Sequence, residues 1–92
     1  MDPIEIPIED TIDLHSFLPG EVAVLIEEYV YLAQSKGYSE VRIIHGRGIG
    51  TQRQIVHSIL RRHPQVLHFY DAPDRGSTSV ILKNIKGTDH GN

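Results

Sequence analysis

The chain has 92 residues, of which 39% are apolar and 23% charged, and it contains no cysteine. This length and balance fit one globular domain and exclude a disulfide scaffold, a thiolate metal centre and a cysteine nucleophile. No apolar run approaches the roughly 18 residues of a membrane-spanning helix. The opening Met1-Asp2-Pro3-Ile4-Glu5 lacks the basic start of a secretion signal, so a cytoplasmic protein is expected.

The net charge of −3 argues against a polyanion partner, but its distribution argues for one. Residues 1–40 carry nine acids and one base, Lys36. Residues 41–70 carry five arginines (Arg42, Arg47, Arg53, Arg61 and Arg62) and no acid.

In chain order, residues 1–8 alternate Ile4, Ile6 and Ile8 with Pro3 and Pro7 interposed, and read as an extended arm. Residues 11–15 read as a first strand with Ile12 and Leu14 on one face. Pro19 suits a first helical turn, and residues 20–36 carry the stripe Val22, Leu25, Ile26, Tyr29 and Ala33, stopped by Gly37. Residues 41–45 form a second strand, and residues 46–50 a loop with glycine at 46, 48 and 50. Thr51 and Gln54 fit a capping box that opens a second helix. That helix buries Ile55, Val56, Ile59 and Leu60 and closes on Arg61 and Arg62, where its dipole favours cations. Residues 66–70 and 78–82 are strands joined as a hairpin across the turn 71–76, and residues 85–92 are a flexible tail. His57, His63, His68 and His90 are expected at the surface.

The order β-α-β-α-β-β predicts an α/β two-layer sandwich: two helices on a mostly parallel four-stranded sheet. The folded domain would span residues 9–84, between arm and tail.

Asp13 and His15, two apart near the end of the first strand, should point to one face. His45 ends the second strand. The carboxyl ends of parallel strands form the ligand edge of open α/β sheets, so these residues and the glycine loop are expected together. The D-x-H pair admits several readings: an oriented imidazole, an acid/base pair, two metal ligands, or a turn cap. The loop admits two, a phosphate cradle at a helix N-terminus or a turn that needs glycine for its conformation alone. Arg53 in the helix's first turn opposes the dipole, which an anion bound there would offset. The pattern matches neither nucleoside-triphosphate nor dinucleotide loop motifs.

Together, Ile12-Asp13-Leu14-His15, a helix, Ile43-Ile44-His45-Gly46-Arg47-Gly48-Ile49-Gly50 and then Arg53-Gln54-Ile55-Val56 resemble the Smr (small MutS-related) domain family, in its stand-alone form. The resemblance covers roughly residues 8–84. It implies a sandwich similar to the C-terminal domain of a translation initiation factor. It also implies DNA nicking, RNA cleavage or nucleic-acid binding as activity. By resemblance, Asp13 and His15 take the catalytic D-x-H positions, and His45, Gly46, Arg47, Gly48 and Gly50 the substrate-binding positions of the glycine loop. As an endonuclease, the chain would use His45 as its second proton-transfer group. Gly46, Arg47, Gly48 and Gly50, joined by Thr51 and Arg53, hold phosphate. RNA would supply its own 2′-hydroxyl as nucleophile. DNA would need water and a divalent ion, Mg2+ or Mn2+, with Asp13 and His15 as candidate ligands. The alternatives are a binding module using the same basic face and a small-molecule phosphate binder. A monomer is the simplest state. Two positions depart from the family: Ser16 stands where glycine often follows the D-x-H histidine. Arg75-Gly76-Ser77-Thr78-Ser79 is shorter and poorer in glycine than the usual segment before the last strand.

Overall fold

A computed structural model describes residues 9–46, 50–74 and 76–84. The expected arm (1–8) and tail (85–92), with His90, lie outside the described residues. Strand β1 spans Thr11–Asp13 and is followed by two single turns of 3-10 helix, Leu14–Ser16 and Pro19–Glu21. Then come α1 (Val22–Ser35), β2 (Glu40–Ile44), α2 (Gly50–Arg62), β3 (Val66–Asp71) and β4 (Ser77–Leu82).

The sheet order is β1-β2-β4-β3. Only β1 and β2 pair in parallel, with Ile12 beside Ile43 and Asp13 beside Ile44. Strand β4 is antiparallel to both β2 and β3. The expected mostly parallel sheet is therefore corrected to a mixed one. β1, β2 and β3 still run the same way, as helical crossovers require. The hairpin folds β4 back into the gap between β2 and β3, so adjacency differs from direction. As a central strand, β4 is buried along most of its length, including Ser77, Thr78 and Ser79.

Alternation in β2 buries Val41 and Ile43 and exposes Glu40 and Arg42, the pattern of a sheet covered on one face. Those side chains join Ile12, Val80 and Leu82 in one core with Leu25, Ile26, Tyr29 and Ala33 of α1 and Val56, Ile59 and Leu60 of α2. The Tyr29 hydroxyl donates to the Glu9 carbonyl at 2.5 Å, fastening the entry to β1 onto α1. Pro19 opens the approach to α1, where the Glu21 carboxylate accepts from the Leu18 N–H at 3.0 Å. The far end closes on Gly37 at φ 91. Gly37 N–H donates to Gln34 and Tyr38 N–H to Ala33, the paired bonds of a Schellman stop.

Two local expectations change. Helix α2 begins at Gly50, so Thr51 lies inside its first turn and not at the cap. His63 is buried, 6% exposed, where a surface position was expected. Its Nε2–H donates to the Glu27 carbonyl of α1 and its Nδ1 accepts from Gln65 N–H, while its ring packs on Tyr31. An imidazole with both nitrogens satisfied can be buried between helices at little cost.

Candidate functional site

Asp13 ends β1, and the chain turns at once into the 3-10 turn that holds His15. The two side chains meet through this turn and not through strand alternation. The Asp13 carboxylate caps the turn, accepting from His15 N–H at 3.0 Å and from His15 Nδ1–H at 2.8 Å. These bonds hold the Asp13 carboxyl below its ordinary value, the ring bond contributing most. The His15 side chain is 82% exposed, so its Nε2 edge faces solvent.

His45 follows β2 and is buried, 6% exposed. Its Nδ1–H donates to the Gly46 carbonyl at 3.1 Å, and its Nε2 lies 2.9 Å from the Thr78 hydroxyl. The Thr78 hydroxyl, with one proton to give, lies between His45 Nε2 and Asp71 Oδ1, the latter at 3.4 Å. Gly46 takes φ 84, a left-handed turn that suits glycine. The N–H groups of His45 and Gly46 both donate to the Gly76 carbonyl, at 3.0 and 2.9 Å. The start of the glycine loop is thus tied to the hairpin turn. Within that turn Gly76 N–H donates to the Asp74 carboxylate at 2.8 Å. Arg47 and Gly48 lie outside the described residues. Gly50 and Thr51 are exposed at the start of α2.

Arg53 does not extend freely from α2. Its Nε–H lies 3.2 Å from Asp71 Oδ2, and its terminal nitrogen donates to the same oxygen. The carboxylate holds the guanidinium above its ordinary value, and the guanidinium holds Asp71 below its own. The anion expected to offset Arg53 in the first turn is, within this fold, Asp71.

His57, read from sequence as a surface residue, is half-buried. Its Nε2 lies 3.0 Å from Thr78 Oγ1 and 3.2 Å from Asp71 Oδ1, and its ring packs on Phe69. Burial pushes the imidazole toward the neutral form, against the opposing pull of Asp71. Arg53, Asp71, His57, Thr78, His45 and Gly46 thus form one hydrogen-bonded chain across α2, β3, β4 and the end of β2. His68 is exposed, beside Tyr70.

His57, Asp71 and Thr78 are the members that sequence reading missed. Two signals were present. Arg53 and His57 are spaced i, i+4, which places them on one face of α2. Asp71 ends a strand that runs with β1 and β2, so the edge rule that selected Asp13 and His45 also selects it.

A family model described as Smr domain matches residues 12–84. The chain belongs to the Smr domain family. Endonuclease MutS2 of Caldicellulosiruptor bescii is 35% identical over 81 residues, covering 84% of this chain and 10% of that protein. Endonuclease MutS2 of Solidesulfovibrio magneticus is 42% identical over 59 residues, covering 63% of this chain and 8% of that protein. This Smr domain therefore spans about a tenth of the length of the curated relatives it matches. The crystal structure of the Smr domain of Thermus thermophilus MutS2 superposes with a TM-score of 0.75 at 32% identity, over 82% of this chain and 99% of that one. YdaL, a stand-alone small MutS-related protein from Escherichia coli, also gives a TM-score of 0.75. At 22% identity, over 84% of this chain and 66% of that one, it shares the fold. Among the described residues, no helix is long and apolar enough to cross a membrane.

Proposed function

We propose that this Smr domain is a nucleic-acid endonuclease that cleaves a phosphodiester at the edge where β1 and β2 end. The observation that carries the reading is the Asp13–His15 pair. A carboxylate 2.8 Å from Nδ1 fixes one tautomer and leaves Nε2 as the proton-accepting atom, on a side chain open to a large substrate. The relatives bearing the name endonuclease MutS2 support the same class.

In this reading Gly46, Arg47, Gly48, Gly50 and Thr51 receive the phosphate at the N-terminus of α2, with Arg53 beside them. Arg53 exchanges Asp71 for phosphate when substrate arrives. For RNA, His15 Nε2 takes the proton of the 2′-hydroxyl, whose oxygen attacks phosphorus as the P–O5′ bond breaks, and water protonates the departing 5′-oxygen. For DNA, Mg2+ or Mn2+ held by Asp13 and His15 would activate the attacking water, His15 then serving as a ligand instead of a base. His45 anchors the loop. For it to transfer a proton, its bonds to Gly46 and Thr78 must open.

The test is cleavage of labelled single-stranded RNA and of supercoiled DNA with magnesium, manganese or chelator. His15→Ala is expected to lower the rate about 100-fold or more, the usual contribution of a positioned acid or base. Asp13→Asn should also lose cutting, and both should bind nucleic acid within a few-fold of the unmutated chain. The engagement of both His45 nitrogens and of Arg53 favours a second reading, binding without cleavage. Salt-sensitive binding with no cutting in any lane would establish it.

A further inference from the structure

We propose that His45, His57 and Asp71, with Thr78 between them, form a binding site for a transition-metal ion of the zinc class, apart from the Asp13–His15 pair. One ligand atom from each of the three residues lies within 4.8 Å of the other two. His57 Nε2 and Asp71 Oδ1 are 3.2 Å apart. Thr78 Oγ1 is 2.9 Å from His45 Nε2, 3.0 Å from His57 Nε2 and 3.4 Å from Asp71 Oδ1. A tetrahedral ion with bonds of about 2.0–2.2 Å sets its ligands roughly 3.4 Å apart. The four separations above, 2.9 to 3.4 Å, lie near that spacing, and the remaining pairs, from His45 to His57 and to Asp71, fall within 4.8 Å.

The donor chemistry selects the ion. Two imidazoles and one carboxylate suit zinc and its neighbours, whereas magnesium and calcium take oxygen ligands. The surroundings are those of a ligand set already oriented. His45 donates Nδ1–H to the Gly46 carbonyl, which fixes Nε2 as the coordinating atom. Arg53 Nε–H reaches both Asp71 oxygens, at 3.3 Å to Oδ1 and 3.2 Å to Oδ2, and its terminal nitrogen holds Oδ2, while Oδ1 also lies 3.2 Å from His57 Nε2. The residues come from the end of β2, α2, the end of β3 and the start of β4, so a bound ion would cross-link four elements at one sheet edge.

The test uses the whole chain, stripped with chelator and titrated with Co2+ and then Zn2+. Expected are one equivalent of Co2+ with the intense visible bands of a tetrahedral centre, and displacement by Zn2+. A rise in Tm with Zn2+ and none with Mg2+ should accompany it. His57→Gln keeps a hydrogen-bonding side chain and removes a nitrogen ligand. It should weaken Zn2+ binding at least about 10-fold, the loss that even an outer-sphere partner produces, with the circular dichroism of the apo chain retained. Proton NMR of the unmutated chain gives a readout that no folding defect can confuse. Diamagnetic Zn2+ should shift the ring signals of His45 and His57 and spare those of His15 and His68. Absence of binding, binding unchanged in His57→Gln, or shifts confined to His15 would each overturn the proposal.

Discussion

Asp13 and His15 illustrate how much a single turn decides. The sequence placed them two apart on a strand, which would align them side by side. The chain instead bends after Asp13, and the carboxylate collects the backbone and ring donors of His15 together. Its lowered carboxyl value has a consequence for stability. A carboxylate whose folded value lies below its unfolded value, about 3.9, adds stability above that pH and loses it as pH falls through the folded value. With the Asp13 side chain 46% exposed, solvent screening keeps the contribution small. The shift itself is measurable. An NMR titration of the Asp13 carboxyl should show a midpoint below 3.8, moving up toward that value in His15→Ala. A midpoint indifferent to His15→Ala would mean that the ring does not hold the proton-accepting geometry on which cleavage is argued.

At the scale of elements, the stop of α1 was legible because it rests on one residue type. Gly37 at φ 91 needs no side chain, and a Cβ added there would meet nothing within 4 Å. Gly37→Ala therefore isolates backbone strain. It should cost about 1 kcal/mol, lowering the urea midpoint by roughly 0.3–1 M at a slope typical of a small domain. An unchanged midpoint would show that the αL conformation is not held in solution. The strands and helices were equally legible, since Val41 and Ile43 alternate and Val22, Leu25, Ile26 and Tyr29 repeat on one helical face. The position of β4 was not. Both its neighbours are β-rich runs, and nothing local distinguishes pairing with β3 alone from insertion between β2 and β3. That choice depends on long-range burial, and it alone brings Thr78 between His45 and His57. Half of the candidate site was accordingly visible as motif, Asp13, His15 and His45. Of the other half, His57 and Asp71 carried the weaker signals of helix spacing and strand end, and Thr78 became visible only through packing. The same insertion brings the Thr78 hydroxyl to 2.9 Å from His45 Nε2.

For the molecule as a whole, the described arginines of the basic third are spread over two elements, β2 and α2. Arg42 is exposed on β2, while Arg53 is ion-paired to Asp71. Arg61 and Arg62 close α2, about 12 Å along the helix axis from Arg53. Among the described arginines, only Arg53 lies at the end of α2 where phosphate is proposed to bind, and the proposal adds Arg47 by its place in the sequence. Charge summed along the chain therefore overstates the charge that one strand of nucleic acid would meet. Each phosphate neutralised on duplex DNA contributes about −0.9 to the slope of log affinity against log salt. Engagement by two arginines predicts a slope of about −2, whereas engagement of all five would give about −4.5. Replacing Arg61 and Arg62 together by Gln should leave the slope unchanged, and Arg53→Gln should reduce its magnitude by about 1. Affinity measured by fluorescence anisotropy from low to moderate salt distinguishes these outcomes. A slope near −4.5 that falls on removal of Arg61 and Arg62 would place the nucleic acid along the whole of α2. The Asp13–His15 edge would then lie at one end of the bound strand instead of at its centre.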